Sequence, residues 1–167
     1  MNRKLLALMP LLVCMVVTLL VIAPKAYCAS TEQRFLVLIP QMKTLLSKQG
    51  QFLEHVRDFK EYGLSYPFDI DRATGLFNEA ARAADVLESV NLSLYVYVNM
   101  TIADDRSRVR PMIQESFARY IRRLDTSISV VNVFVSNTQS ASIATSAAKM
   151  KDDIREAMVL LGSLDLP

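Results

Sequence analysis

The stretch Val90–Met100, with the sequence VNLSLYVYVNM, decides the fold class of this chain. Its aliphatic residues alternate with polar residues or tyrosines, which is the pattern of a half-buried β-strand. Residues 128–135 are also rich in the β-branched side chains that strands favour. Two strands alone would form a sheet of marginal stability. The fold class therefore depends on whether a helical pattern also passes through these two stretches.

A helical spacing of apolar residues does continue through both stretches. The apolar residues there lie on nearly the same helix face as those before them. Steps of three and four residues place apolar side chains on one face of a helix. These steps join Leu87, Val90, Leu94 and Tyr97 in the first stretch and Leu124, Ile128, Val131 and Val135 in the second. Tertiary burial commonly overrides local strand propensity. We therefore predict helix through both stretches.

The same spacing predicts four helices, at about 31–62, 71–100, 105–135 and 138–161. Two of the three connections between them are short, and short connections favour antiparallel neighbours. The predicted fold is therefore an all-α, antiparallel, up-down-up-down four-helix bundle. Pro40 lies inside the first helix, so that helix either bends there or begins its regular part there.

Several residues match the ends of these predicted helices. Asp71 is expected to cap the second helix, and residues 136–138 offer caps for the fourth. Pro111 is expected in the first turn of the third helix. The backbone N–H that proline lacks would have no partner within the helix at that position, whichever residue stood there. Gly162 occupies the position of a left-handed residue that ends the fourth helix.

The N-terminal segment predicts export. Arg3 and Lys4 precede the uncharged apolar run Leu5–Ala23, and small residues around Cys28 suit a cleavage site after that residue. Residues 1–28 are thus predicted to be a signal peptide and 29–167 the helical domain. The run is also close to the roughly 20 residues that span a bilayer, so an uncleaved signal anchor is the alternative.

The location of the domain follows from this segment. We expect the domain to be periplasmic or secreted, or anchored to the inner membrane by the N-terminal segment, with the domain outside the cytoplasm. Both cysteines, Cys14 and Cys28, lie in or beside the segment, so the domain must fold without disulfides.

The charge balance argues against nucleic-acid binding. The chain has 19 basic and 17 acidic residues, but Arg3, Lys4 and Lys25 belong to the leader. The remaining part therefore has sixteen basic and seventeen acidic groups and is nearly neutral. A nearly neutral domain lacks the positive field that attracts a phosphate backbone.

No residue pattern indicates a catalytic centre, a cofactor or a metal. His55 is the only histidine, whereas a di-iron bundle needs two Glu-x-x-His pairs. Haem ligation by His55 with a methionine is an alternative. Its position beside Val56, between Glu54 and Arg57, predicts a partly exposed surface histidine. The glutamates lie off the apolar stripes, so we expect no polar cluster to converge on the core.

Two groups of residues are candidate contact surfaces. The predicted loop after the first helix carries Tyr62, Tyr66 and Phe68, which are expected to fold back over the end of the core or to anchor a partner. Arg119, Arg122 and Arg123 form a basic face. Nearby acids favour a solvated, salt-bridged face, with an anionic membrane or an acidic partner as the alternative.

These observations predict an exported, non-enzymatic helical bundle that acts through protein–protein contacts or as a structural part of the cell envelope. The protein partner is unidentified, and no cofactor is expected. The first alternative is a bundle that binds haem or another small ligand. The second is an all-helical enzyme that uses charged residues from facing helices.

Overall fold

The computed structural model describes residues 31–136 and 138–167, and within them it contains four α-helices and no strand. They are α1 (Thr31–Ser65), α2 (Ile70–Asn99), α3 (Ala103–Val135) and α4 (Ala141–Ser163), with a short 3-10 turn at Pro67–Asp69. The all-α class is confirmed, including helix at 90–99 and 128–135. The predicted signal peptide or anchor at 1–28, with its cleavage site at Cys28, lies outside the described residues.

Each helix buries an apolar stripe with the predicted spacing. The stripe of α2 is inaccessible to solvent from Leu76 to Tyr97, and Tyr97 also donates a hydrogen bond to the carbonyl of Pro167. The largest fully buried side chains come from all four helices: Tyr97, Phe52, Phe59, Leu38, Leu45, Leu76, Leu87, Leu94, Leu124, Ile143, Met150 and Ile154. Burial of each such side chain contributes about 1.5–3 kcal/mol. This core holds Arg34–Pro167 together as one compact unit.

Polar contacts between helices show how α1 lies against its neighbours. Tyr62, near the end of α1, has its hydroxyl 3.2 Å from the hydroxyl of Ser146, near the start of α4. Lys48, in the middle of α1, bonds to Asp153 at 3.1 Å, further along α4. The two helices therefore run in opposite directions. Asn91 of α2 donates to Gln49 of α1 at 2.9 Å, so α2 also packs on α1.

Four of the predicted helix ends are wrong, and two of them concern caps. Helix α2 begins one residue before Asp71, and its N-cap residue, Asp69, uses its carboxylate to bind Arg72 and Thr138 instead of the helix amides. Ser140, after the 136–138 region, caps α4 by accepting from Ile143 N at 3.3 Å.

The other two differences concern proline and glycine inside helices. Helix α3 begins at Ala103, so Pro111 lies within the helix and not in its first turn. Helix α4 continues through Gly162 to Ser163, and Gly162 has no left-handed backbone. Pro40 likewise lies inside α1, which begins at Thr31. Among the described helices, none is both long enough and apolar enough to cross a membrane.

Gly75 allows a very close approach between α2 and α3. A Cβ atom at Gly75 would lie 2.3–2.6 Å from three ring atoms of Phe134, which is far inside van der Waals contact. Gly50 in α1 is the opposite case, because a Cβ atom there would meet nothing within 4 Å. The two glycines therefore give a matched pair of helix-interior positions.

We expect Gly75→Ala to destabilise the protein and Gly50→Ala to stabilise it. Alanine gains about 1 kcal/mol of helix propensity over glycine at either position. At Gly75 the displaced Phe134 ring outweighs that gain, since overpacking costs about 1–3 kcal/mol. Denaturant unfolding of the two variants measures the difference, and stabilisation by Gly75→Ala would contradict the packing described here.

Candidate functional site

The predicted aromatic loop forms the end of α1 and the turn that follows. Tyr62 is half-buried and bonds to Ser146, so it belongs to the helix packing. Tyr66 is exposed, and the side chain of Phe68 is 100 % exposed. The expectation that these aromatics fold back over the core is therefore wrong for Phe68, because the 3-10 turn directs its ring outward.

An apolar groove lies beside this turn, between the end of α1 and the start of α2. Its lining comes from Val56, Phe59, Lys60, Gly63, Leu64, Ile70, Thr74 and Phe77, and its volume is about 530 Å³. Leu64 and Ile70 on its rim are exposed. Exposed apolar side chains beside a concave apolar surface are typical of a contact site.

More exposed apolar residues extend along the outside of α1 and α2. Ile39, Leu46 and Leu53 are spaced by seven residues and so share one face of α1. Leu92 and Tyr95 are exposed on α2. We call this set the hairpin surface: Ile39, Leu46, Leu53, Leu64, Phe68, Ile70, Leu92 and Tyr95.

The predicted basic face is exposed on α3, but its three arginines do not act as one group. Arg119 pairs with Glu115 at 3.4 Å and donates to Ser116 at 2.9 Å. Arg123 lies 6.0 Å from the ring centre of Tyr120 and lines a groove shared with α2, whereas Arg122 does not line that groove. The Glu115–Arg119 pair is the salt bridge expected for a solvated face.

A buried polar cluster joins α1 to α4. His55 is 3 % exposed, and its Nε2 donates to Asp153 Oδ2 at 2.8 Å. The other carboxylate oxygen of Asp153 accepts from Lys48 Nζ at 3.1 Å, and Lys48 also pairs with Glu156. Phe52 and Phe59 stand on either side of the imidazole, each with a ring centre 6.3 Å away.

Two sequence expectations are therefore wrong. His55 is not on the surface, because it lies three residues after Phe52 and four before Phe59, on the buried side of α1. Polar groups do converge on the core, and Glu79 of α2 is buried as well.

The cluster shifts the ionisation of its members in opposite directions. Burial raises the pKa of Asp153, but hydrogen bonds from His55 and Lys48 and the charge of Lys48 outweigh it and leave the pKa below its ordinary value of 3.8. Burial lowers the pKa of Lys48, but Glu156 and Asp153 outweigh it and raise the pKa above 10.5. Asp153 and Lys48 are therefore both charged at neutral pH.

The chemistry open to this cluster is limited by its enclosure. Nε2 of His55 is already bound to Asp153, and Nδ1 is buried without a hydrogen-bond partner among the described residues. Haem ligation through Nε2 would require the bond to Asp153 to break. The ion pairs of the cluster come from α1 and α4, so this cluster does not join charges from three helices.

No group of three or more potential metal-ligating side chains occurs in residues 31–136 and 138–167. The chain matches no family model, no curated protein and no solved structure.

We expect Asp153→Asn to lower the free energy of unfolding at pH 7 by about 1–3 kcal/mol, because it leaves buried donors of His55 and Lys48 incompletely bonded. The pKa of Asp153 is lowered on folding, so its stabilising contribution is present above pH 3.8 and is lost as pH falls through the folded-state pKa. Stability therefore falls less steeply with acid in the variant than in the wild type.

Asp152→Asn is the matched control for this prediction. Asp152 is the preceding residue and is exposed, with Arg155 as its partner at 2.7 Å. Exposed pairs of this kind contribute about 0–1 kcal/mol. Denaturant unfolding at a series of pH values compares the two variants. Equal effects at both positions would show that the buried cluster does not stabilise the fold.

Proposed function

We propose that this chain is an exported, non-enzymatic helical-bundle protein that contacts a protein partner through the hairpin surface. In this proposal the four helices form an antiparallel, up-down-up-down bundle. The opposed directions of α1 and α4 and the packing of α2 on α1 support that order. Export rests on the apolar run Leu5–Ala23 after two basic residues.

The uneven distribution of exposed apolar residues carries the proposal. Sixteen large apolar side chains are exposed among the described residues, and twelve of them belong to α1, α2 and the turn between them. Helices α3 and α4 together contribute three, which are Met112, Val133 and Val159. Single exposed apolar residues are normal, but a concentration on one side of a protein indicates an interaction site.

The same part of the surface is poor in charge. Between residues 35 and 47 of α1 the only charged residue is Lys43, and between residues 86 and 99 of α2 the only one is Glu88. Charged residues are depleted in the centres of protein interfaces, where aromatic residues are enriched. Tyr95 and Phe68 supply exposed aromatic rings on this surface.

Site-specific photocrosslinking tests this proposal. A photoreactive phenylalanine analogue replaces Leu53 or Phe68 in one set of full-length chains and Val133 or Val159 in the control set. All four side chains are exposed, so the substitutions should leave the core intact. We expect discrete protein adducts in the cell envelope from the hairpin positions and not from the controls.

The possible results separate the proposal from its competitors. Protein adducts of equal yield from both sets would show that the hairpin surface has no special role. Crosslinks to lipid alone from Leu53 and Phe68 would indicate a membrane-binding surface and contradict a protein partner. A second copy of this chain in the adduct would identify the partner as the protein itself.

A further inference from the structure

We propose that the groove between α2 and α3 binds a small zwitterion that carries an amino group and a carboxylate. This groove is separate from the hairpin surface and from the His55 cluster. It has a volume of about 430 Å³, within the range of small-molecule sites. Seven of its eight lining residues carry a polar or charged group: Glu79, Arg82, Asp85, Ser89, Arg123, Thr126 and Ser127, with Val86 as the eighth.

Ser127 provides a buried polar group with no partner in the described part of the fold. Its side chain lies on the groove wall and the residue is 6 % exposed. The hydroxyl makes no hydrogen bond within the described residues, yet its oxygen is not sealed from solvent. Buried hydroxyls are normally hydrogen-bonded, so this one is available to a molecule in the groove.

Glu79 holds the guanidinium of Arg82 at the groove. The residue is 4 % exposed, and its carboxylate bonds to the largely exposed Arg82 at 2.6 Å. A buried glutamate is rare unless it is paired. The pair leaves Arg82 held by one carboxylate oxygen, with the other N–H groups of its guanidinium still able to donate.

Two further charges of opposite sign line the groove without an ion-pair partner in the described part of the chain. Arg123 contacts the ring of Tyr120 but binds no carboxylate, and Asp85 binds no basic side chain. Arginine recognises carboxylates through paired N–H groups. Asp85 disfavours a purely anionic ligand and favours one with an ammonium group.

The ligand class follows from these groups. The carboxylate of the ligand would bind Arg123 and Arg82, with the Ser127 hydroxyl as a further donor. Its ammonium group would bind Asp85 and the Glu79 carboxylate. An amino acid or a short peptide supplies both charges and fits the volume of the groove.

Glycylglycine is the probe for this proposal. It is titrated into the full chain in detergent micelles while backbone amide chemical shifts are recorded by NMR. We expect saturable shifts at the groove residues of α2 and α3. Affinity should fall at least tenfold in Arg123→Gln and several-fold in Ser127→Ala, whereas Arg119→Gln, on the same helix outside the groove, should bind as the wild type does.

Acetate and ethylammonium, each with one of the two charges, should bind at least tenfold more weakly than glycylglycine. If acetate bound as tightly as glycylglycine, the proposal that the ligand is a zwitterion would be overturned, and the groove would be a simple anion site. Absence of saturable shifts, or unchanged affinity in Arg123→Gln, would overturn the site itself. Amide spectra of each variant without ligand show whether it has kept its fold.

Discussion

Burial of one apolar stripe from each of four helices is the constraint on which the rest of this structure depends. The described domain has no cysteine, so packing alone must offset the entropy of ordering the chain. Pairs of buried residues seven positions apart recur on every helix, as in Phe52 and Phe59 of α1 or Leu124 and Val131 of α3. This spacing keeps the same face of each helix toward the core over its length.

Four of the five buried polar residues in the described part of the chain occur within that same spacing. His55, Glu79, Ser127 and Asp153 each lie three residues after one buried apolar residue and four before another. His55 Nε2 and Asp153 bond to each other across α1 and α4, so a shift of one helix by a turn would break this bond between two buried groups. Glu79 and Ser127 instead reach the groove between α2 and α3. The same position in the helical spacing thus leads to a buried bond between α1 and α4 but to a groove-lining polar group between α2 and α3. The difference depends on the residues of the neighbouring helix.

The sequence predicts the helices well and the sites poorly, for a physical reason. Apolar periodicity reports which side of a helix is buried, and it correctly overrides the strand pattern at Val90–Met100. It could also have shown that His55 is buried, because the helical spacing from Phe52 and Phe59 places it there. The partner of His55 is 98 residues away, and no local pattern indicates Asp153. The outward turn of Phe68 likewise depends on the geometry of the 3-10 turn.

Most of the exposed large apolar residues of the described part of the chain lie on α1, α2 and the turn between them, and few lie on α3 and α4. Tyr95 and Tyr97 show both faces of α2, with exposed fractions of 63 % and 0 %.

Hydroxyl-radical footprinting of the purified full chain measures the solvent accessibility of Tyr95 and of Tyr97 in one experiment. A helix with an exposed apolar face predicts rapid modification of Tyr95 and protection of Tyr97. Equal modification would contradict this account, because a strand would place both rings on one side of the chain.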